Sequence, residues 1–125
     1  MKKLIALVFA LVATAGFAAE FPDISIADLK QAIADKKVTV IDVNGAASYA
    51  NGHVPGAINF ATQKDSLASV LPSDKGALVV AYCGGPQCSA YKAAANAASQ
   101  LGYTNVKHLS AGISGWKAAK EPLEK

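Results

Sequence analysis

A continuous apolar run at residues 77–82 (ALVVAY) constrains the fold of this chain more than any other sequence feature. Runs of this kind are typical of strands that are buried on both faces, as in parallel sheets covered by helices. A short segment with two glycines follows at residues 83–89 (CGGPQCS), and an alanine-rich stretch comes next. The sequence therefore predicts a buried strand, a tight loop and a helix, in that order.

Helix and strand signals alternate along the rest of the chain. Ser25, with Asp28 three positions later, resembles the capping box that starts many helices, and the β-branched residues at 38–43 are typical of a strand. In chain order we predict a helix from Ser25 to Ile33, a strand at 38–43, a short helix at 46–50, a loop through 51–56, a short strand at 57–60, a short helix at 66–71, the buried strand at 77–82, a helix at 89–101, a strand at 106–109 and a final helix at 114–120. This alternation predicts an α/β domain with a mostly parallel central sheet flanked by helices on both faces.

The helix at 89–101 is the clearest of these elements. Its apolar residues recur at helical spacing, which indicates one buried face. That predicted face consists of Ala90, Ala93, Ala94, Ala97, Ala98 and Leu101. Gly102 follows where a glycine commonly ends a helix.

The first residues have the pattern of a secretory signal peptide. Lys2 and Lys3 precede an uncharged apolar run at residues 4–19, and Gly16 and Ala18 fit the small residues before a cleavage site. The run is shorter than the roughly 20 residues that cross a bilayer. We therefore expect residues 1–18 to be removed and residues 19–125 to form one domain, periplasmic or otherwise exported, without membrane attachment. Exported proteins meet oxidising conditions, in which thiols pair.

Composition excludes several classes of protein. Hydrophobic residues make up 52% of the chain and charged residues 17%, which is too apolar for a disordered protein. All twelve basic residues are scattered lysines, and arginine, the side chain best suited to phosphate, is absent. The formal charge of +3 falls to +1 when the two lysines of residues 1–18 are removed. We therefore expect no nucleic-acid partner.

Cys83 is the candidate nucleophile. It follows the buried strand directly, and ligand sites of open α/β sheets lie beyond the carboxyl ends of their strands. Gly84 and Gly85 allow the backbone to curl so that several N–H groups point inward, and the start of the next helix adds its positive end. This setting favours a thiolate, the nucleophilic form of cysteine. The alternative is a buried, inert cysteine.

Four motifs in order carry a resemblance to a known family: VIDVNGAASYANGHVPGAINF at 40–60, YCGGPQCS at 82–89, GYTNV at 102–106 and LSAGISGW at 109–116. Over residues 24–120 the chain resembles the rhodanese-like sulfurtransferase domains. The resemblance implies a catalytic Cys83 that cycles through a persulfide without a cofactor or a metal. It also implies that the outer sulfur is held by a substrate-binding loop made of Gly84, Gly85, Pro86, Gln87, Cys88 and Ser89.

The resemblance implies the partners as well. The donor would be a persulfide or a small sulfur-containing anion such as thiosulfate, and the acceptor a thiol, including a protein thiol. Many active members carry a basic residue where this chain has Cys88, so its uncharged loop predicts weak turnover of thiosulfate, with Lys92 as the nearest cation in sequence. Asn44 and Ser48 replace charged residues that are usual after the first strand, a change expected to affect stability.

Cys88 has three possible roles. It is a resolving thiol that attacks the Cys83 persulfide, or the partner of Cys83 in a resting disulfide, or a free and packed thiol. Closing so small a loop would stabilise the fold by only about 2 kcal/mol, and the curvature of the loop is expected to oppose good disulfide geometry. The corresponding alternatives to sulfur transfer are a thiol–disulfide redox protein and a non-catalytic binding or sulfur-delivery module.

The remaining polar and aromatic residues have structural expectations. His53 is expected to be a hydrogen-bonded turn histidine, His108 a surface or packing residue, and Trp116 part of the core. Asp42 is either an acceptor that orients the next loop or an ordinary strand end. Ser89 is expected to cap the following helix and to reach the thiolate. No zinc site is expected, because the spacing of histidines and cysteines matches no usual motif.

Overall fold

A computed structural model describes residues 21–125, and residues 1–20, with the predicted signal peptide and its cleavage site, lie outside the described part. In chain order the elements are α1 (Ile26–Ala34), β1 (Val38–Asp42), α2 (Ala46–Asn51), β2 (Ile58–Asn59), α3 (Phe60–Gln63), a 3-10 turn (Lys64–Ser66), α4 (Leu67–Val70), β3 (Leu78–Tyr82), α5 (Tyr91–Gln100), β4 (Asn105–His108) and α6 (Gly112–Ala118). Within residues 21–125, no helix is long and apolar enough to cross a membrane.

The strands form a parallel sheet in the order β2-β1-β3-β4, which confirms the predicted fold class. β1 and β3 pair along their whole length, from Val38 opposite Leu78 to Asp42 opposite Tyr82. Because all the strands run in one direction, their carboxyl ends meet at one edge of the sheet. β3, the strand of the apolar run, lies between two neighbours and ends at the middle of that edge.

Alternate side chains of β3 enter two different cores. Val79 and Ala81 pack with Cys83 and the buried residues of α4 and α5, whereas Val80 and Tyr82 pack with those of α1 and α6. Val79, Val80, Ala81 and Tyr82 have no exposed surface. The continuous apolar run is thus explained, because both faces of the strand are covered by helices, as predicted.

The buried face of α5 differs from the predicted one. The residues that it buries are Tyr91, Ala94, Ala95 and Ala98, whereas Ala93 is exposed and Leu101 is 37% exposed. The helix also begins later than predicted, with Ala90 rather than Ser89 at its N-cap and with no side-chain cap. The expectation that Ser89 caps this helix is therefore wrong. Tyr91, the large side chain of the first turn, selects the face that turns inward.

Local signals at the ends of two helices are confirmed. Ser25 accepts a hydrogen bond at 3.0 Å from the Asp28 N–H at the start of α1. Gly102, at φ +102°, follows α5, and the Tyr103 N–H bonds to the Ala98 carbonyl while that of Gly102 bonds to Ser99. These two bonds form the motif by which a glycine ends a helix.

Candidate active site

Cys83 lies directly after β3 and is 2% exposed. Its carbonyl accepts a hydrogen bond from the Ile113 N–H at 2.9 Å, and the Gly84 carbonyl accepts one from the Ser114 N–H at 3.0 Å. The first-turn N–H groups of α6, which have no partners inside their own helix, are thus bound by the loop. This explains why α6 begins at Gly112, two residues before its predicted start at Ser114.

Gly112 allows the loop and α6 to come this close. Its φ is +63°, and a Cβ built on it would lie 2.5 Å from both the Gly84 carbonyl carbon and the Gly85 nitrogen. Gly85 is also confined, because a Cβ there would lie 3.0 Å from the Ser114 Oγ. The backbone of the loop therefore packs directly on the backbone of α6 and is held in one conformation.

A turn returns the chain toward Cys83. The Cys88 N–H donates to the Gly85 carbonyl at 3.1 Å, and Pro86 occupies the second position of this turn, which its fixed φ favours. Pro86 and Gln87 project into solvent, as does Ser89. The sequence therefore builds a loop that begins and ends with a cysteine at nearly the same place.

Cys83 and Cys88 form a disulfide, with their Cα atoms 6.3 Å apart. This separation lies within the usual range for disulfides, about 4.4–6.8 Å. The turn through Pro86 folds Cys88 back onto Cys83 and so brings the two Cα atoms close enough for the bond. Of the three roles left open for Cys88, the free and packed thiol is therefore not the one that the structure shows. The structure presents the oxidised form of the site.

Several loop N–H groups are left for a ligand. Within residues 21–125, the N–H groups of Gly84, Gly85, Gln87 and Ser89 donate to no protein acceptor. Donors without a protein partner are what an anion-binding loop needs, and that these N–H groups face Cys83 stays a prediction. The loop itself carries no charged side chain.

Asn44 is the neighbouring polar side chain that sequence reasoning did not place at the site. Its Oδ1 lies 4.0 Å from the position that a Cβ on Gly84 would take. Its buried Nδ2 has no partner within the described chain, and its carbonyl accepts from the Asn59 side-chain amide at 3.0 Å. The segment that follows β1 thus adds a neutral amide to the site. Asn44 stands at one of the two positions where the resemblance leads us to expect a charged residue.

A buried hydrogen-bond network connects the ends of β1 and β3 to the loop that follows α2. The Tyr82 hydroxyl donates to Asp42 Oδ2 at 2.6 Å and accepts from the Val54 N–H at 3.1 Å. Asp42 Oδ1 also accepts from the Asn44 N–H at 2.7 Å, which confirms Asp42 as a loop-orienting acceptor. Burial raises the pKa of Asp42, and the hydrogen bond from Tyr82 opposes that shift. Burial and Asp42 both raise the pKa of Tyr82.

The two histidines have structural surroundings. His53 is 3% exposed, its Nδ1 lies 2.8 Å from the Tyr49 carbonyl oxygen, and its ring stacks on Tyr49 at 3.6 Å. This confirms the predicted turn histidine. His108 is 9% exposed and stacks on Tyr91 at 3.4 Å, so it is a packing residue.

The surroundings of His108 also set its titration. Burial lowers its pKa, with a further lowering from the Lys92 charge and an opposing effect from Asp23. Within residues 21–125, no three His, Cys, Asp or Glu side chains form a group that could hold a metal ion. Trp116 is 1% exposed and belongs to the core, as predicted.

Comparisons with known proteins agree with this architecture. The family model described as "Rhodanese-like domain" matches residues 25–119. The thiosulfate sulfurtransferase GlpE of Shewanella oneidensis is 31% identical over 102 residues, covering 79% of this chain and 95% of that protein. An HTH-type transcriptional regulator of Mycobacterium tuberculosis is 38% identical over 90 residues, covering 70% of this chain, and the chain spans only 38% of its length.

A solved structure gives the same result. The thiosulfate sulfurtransferase of Pseudomonas aeruginosa superposes with a TM-score of 0.69 at 26% identity, over 85% of this chain and 20% of that one. The match of the family model extends from the start of α1 to the end of α6, and so includes every described strand and helix. The chain belongs to the rhodanese-like domain family.

Proposed function

We propose that this protein transfers sulfane sulfur from a donor to a thiophilic acceptor through a persulfide on Cys83. The position of Cys83 carries the proposal: it follows the central parallel strand of a rhodanese-like domain and begins a loop with free N–H groups. The sulfurtransferase names of the relatives from S. oneidensis and P. aeruginosa support the same chemistry. The donor is a persulfide or a small anion such as thiosulfate.

The reaction starts from the reduced site. Reduction of the disulfide frees Cys83, whose thiolate attacks the outer sulfur of the donor and displaces the remainder of the donor as an anion. The free N–H groups of the loop stabilise the negative outer sulfur of the resulting persulfide. A thiolate, including that of a protein cysteine, or cyanide then attacks that outer sulfur and restores Cys83. The chain supplies no cofactor chemistry in this scheme.

The neutral rim of the site determines which donors are favoured. The loop side chains, Asn44 and Ser114 are all uncharged, so a dianion such as thiosulfate receives stabilisation mainly from backbone N–H groups. Persulfides and other weakly charged donors need less compensation. We therefore expect kcat/KM for thiosulfate to be lower than that for a persulfide donor.

We propose that the protein acts outside the cytoplasm. The predicted signal peptide supports this location, and the disulfide between Cys83 and Cys88 is compatible with it, because oxidising compartments preserve such bonds. Intact mass of the protein recovered from a periplasmic extract tests the proposal. A chain that begins at Ala19 is expected, and full-length protein confined to the cytoplasm would contradict it.

Intact mass spectrometry tests the sulfur transfer. Residues 19–125 are reduced, freed of reductant, and exposed to thiosulfate or to a persulfide donor. We expect Cys88→Ser to gain one sulfur atom that cyanide removes, and Cys83→Ser to gain none. Absence of added sulfur from both Cys88→Ser and the reduced wild type, with sulfide also absent, would reject the proposal.

The disulfide favours a second candidate function, thiol–disulfide exchange with a protein substrate. Such an activity requires both cysteines and no sulfane sulfur. Reduction of a disulfide substrate by the dithiol form measures it, in the absence of any sulfur donor. Exchange that is lost in both Cys83→Ser and Cys88→Ser, together with failure to form a persulfide, would favour this second candidate.

A further inference from the structure

We infer that Cys88 is a second catalytic residue of this site, which attacks the Cys83 persulfide and releases its outer sulfur as sulfide. The inference rests on the proposed persulfide and goes beyond it. A sulfurtransferase passes sulfane sulfur to its acceptor without reducing it. A site with a resolving thiol instead reduces that sulfur to sulfide. The protein would then be a dithiol reductase of sulfane sulfur.

The folded loop places Cys88 within bonding distance of Cys83. The disulfide joins the two residues while the Cys83 and Gly84 carbonyls keep their hydrogen bonds to α6 and the turn bond from Cys88 to Gly85 stays closed. The reactive contact is therefore compatible with the folded loop. Pro86 reduces the entropy lost in closing the turn, since its φ is fixed before the bond forms.

The geometry also selects the sulfur atom that is attacked. A thiol that reaches the outer sulfur of a persulfide would take that sulfur over and become the next carrier. A thiol that reaches the inner sulfur forms a disulfide and expels the outer sulfur. In the structure Cys88 is bonded to the Cys83 Sγ itself, which is the inner sulfur of the persulfide. The fold therefore brings Cys88 to the atom whose attack releases sulfide.

The step is balanced in atoms and electrons. The Cys88 thiol gives its proton to solvent, and its thiolate forms a bond to the Cys83 Sγ. The bond from that Sγ to the outer sulfur breaks, and its electron pair leaves with the outer sulfur, which is negative in the persulfide. The departing sulfur takes one proton from solvent and is released as hydrosulfide, so the proton lost by Cys88 is balanced. The two cysteine sulfurs supply the two electrons and end as the disulfide. A low-molecular-weight thiol or a protein dithiol must then reduce the disulfide before the next cycle.

Single-turnover loading of the full mature chain tests the inference. The reduced protein, freed of reductant, is mixed with limiting benzenethiosulfonate, whose transfer of sulfur yields a sulfinate, so that any sulfide comes from the protein persulfide. Sulfide and intact mass are followed together in time. In the wild type we expect the mass to rise by one sulfur atom and then to fall to that of the disulfide, with one sulfide released for each disulfide formed.

The variants separate this inference from the proposed function. Cys88→Ser is expected to keep the added sulfur, and its sulfide release is lost until an external thiol is added. Cys88→Ala repeats the comparison, with circular dichroism to confirm folding of both variants. A wild type that keeps its persulfide as long as these variants would overturn the role of Cys88 and leave sulfur transfer by Cys83 intact. Sulfur bound by Cys83→Ser would reverse the two roles, and loading of neither cysteine would reject both proposals.

Discussion

At the scale of single residues, the hydroxyl of Tyr82 joins three segments that meet below the site. It donates to Asp42 at the end of β1 and accepts from Val54 in the following loop. Tyr82→Phe would leave the Val54 N–H without a partner and would remove one of the donors to a buried carboxylate. We expect the free energy of unfolding to fall by about 2 kcal/mol, as for other buried polar groups left unsatisfied. Urea denaturation of the oxidised protein measures the change.

Tyr103→Phe is the matched control. Tyr103 is also buried, at 3% exposure, but among residues 21–125 its hydroxyl bonds only to the Pro72 carbonyl. Loss of one neutral hydrogen bond is expected to lower the free energy of unfolding by about 1 kcal/mol. If both variants lose the same free energy of unfolding, the hydroxyl of Tyr82 contributes no more than one neutral hydrogen bond.

The titration of His108 gives a prediction about pH. Burial lowers its pKa from the ordinary 6.5, Asp23 opposes that change and Lys92 adds to it. The unfolded chain therefore binds the proton more tightly than the folded chain. The stability that depends on neutral His108 is present above pH 6.5 and is lost as the pH falls through 6.5 toward the lower folded pKa.

His108→Phe isolates this contribution, because a phenyl ring can keep the stack on Tyr91 but does not titrate. Urea denaturation of both proteins is compared at about pH 7 and about pH 5. We expect the wild type to lose more stability than the variant on acidification, since all other titrating groups are common to both. If the wild type and the variant differ by the same free energy of unfolding at both pH values, the pH dependence does not come from His108.

At the scale of secondary-structure elements, the packing of the loop on α6 depends on Gly112. An alanine at this position would adopt an unfavourable φ of +63°, and its Cβ would overlap the backbone of Gly84 and Gly85 at 2.5 Å. We expect Gly112→Ala to destabilise the fold by about 3 kcal/mol, because the left-handed conformation and the overlap both add strain. Thermal or urea denaturation measures this, and persulfide loading of Cys83 should fall with it.

Gly45→Ala is the control for that variant. Gly45 precedes α2 with φ −61°, and a Cβ on it would meet no atom of the described chain within 4 Å. Its replacement should change the free energy of unfolding by less than about 1 kcal/mol. Similar losses in the two variants would show that the close approach of the loop and α6 is not what requires Gly112.

The elements also show how far sequence reasoning extends. Most of their order and type follows from local signals, such as the apolar run of β3 and the Ser25 cap. The prediction was wrong at residues 60–66, where α3 and the 3-10 turn follow β2 and no helix was predicted between the strand at 57–60 and residue 66. The buried face of α5 was not predicted correctly either, because alanines occur around much of the helix and give no clear phase. The orientation of the helix is set by Tyr91, whose ring stacks on His108 of β4. That contact depends on tertiary packing, which periodicity does not contain.

The candidate site, too, could be predicted from the sequence only in part. The place of Cys83 and the role of the glycine loop follow from strand, loop and helix order, which the sequence carries. The disulfide required the path of the turn through Pro86, and the pair of Tyr82 and Asp42 required the register of two strands 40 residues apart. Asn44 reaches the loop for the same reason, because β1 and β3 are neighbours in the sheet. Contacts between elements therefore mark the limit of the prediction.

At the scale of the whole molecule, the two ends of the described chain close the domain on different sides. Near the start, the Ile24 N–H donates to the His108 carbonyl, and the His108 N–H donates to Pro22, so this segment extends the sheet beyond β4. At the other end, Glu124 pairs with His53 through two backbone hydrogen bonds of 2.9 Å. The contacts of this C-terminal segment can be removed without changing a residue of the loop at 83–89, so their contribution to stability can be measured separately.

Removal of residues 121–125 is expected to destabilise the domain by about 2 kcal/mol. It deletes both bonds to His53, the bond from the Gly56 N–H to Glu124 Oε1 at 2.7 Å, and the bond from Trp116 Nε1 to the Pro122 carbonyl at 2.7 Å. Each bond contributes about 1 kcal/mol, and the entropy regained by the freed tail offsets part of the sum. Urea denaturation followed by Trp116 fluorescence reports both the global loss and the change at the indole.

Glu121→Gln is the matched control, because it keeps the tail and removes only the ion pair with Lys30 at 3.1 Å. Lys30 is half exposed, so we expect a change below about 1 kcal/mol. The hydrogen bonds of the tail go to His53, Gly56 and Trp116, so the reduced, truncated protein should still load sulfur on Cys83 at the wild-type rate. Equal stability of the truncated and full-length proteins would show that the tail does not close the domain. Slower loading alone would mean that the two sides of the molecule are coupled through the Asp42 and Tyr82 network.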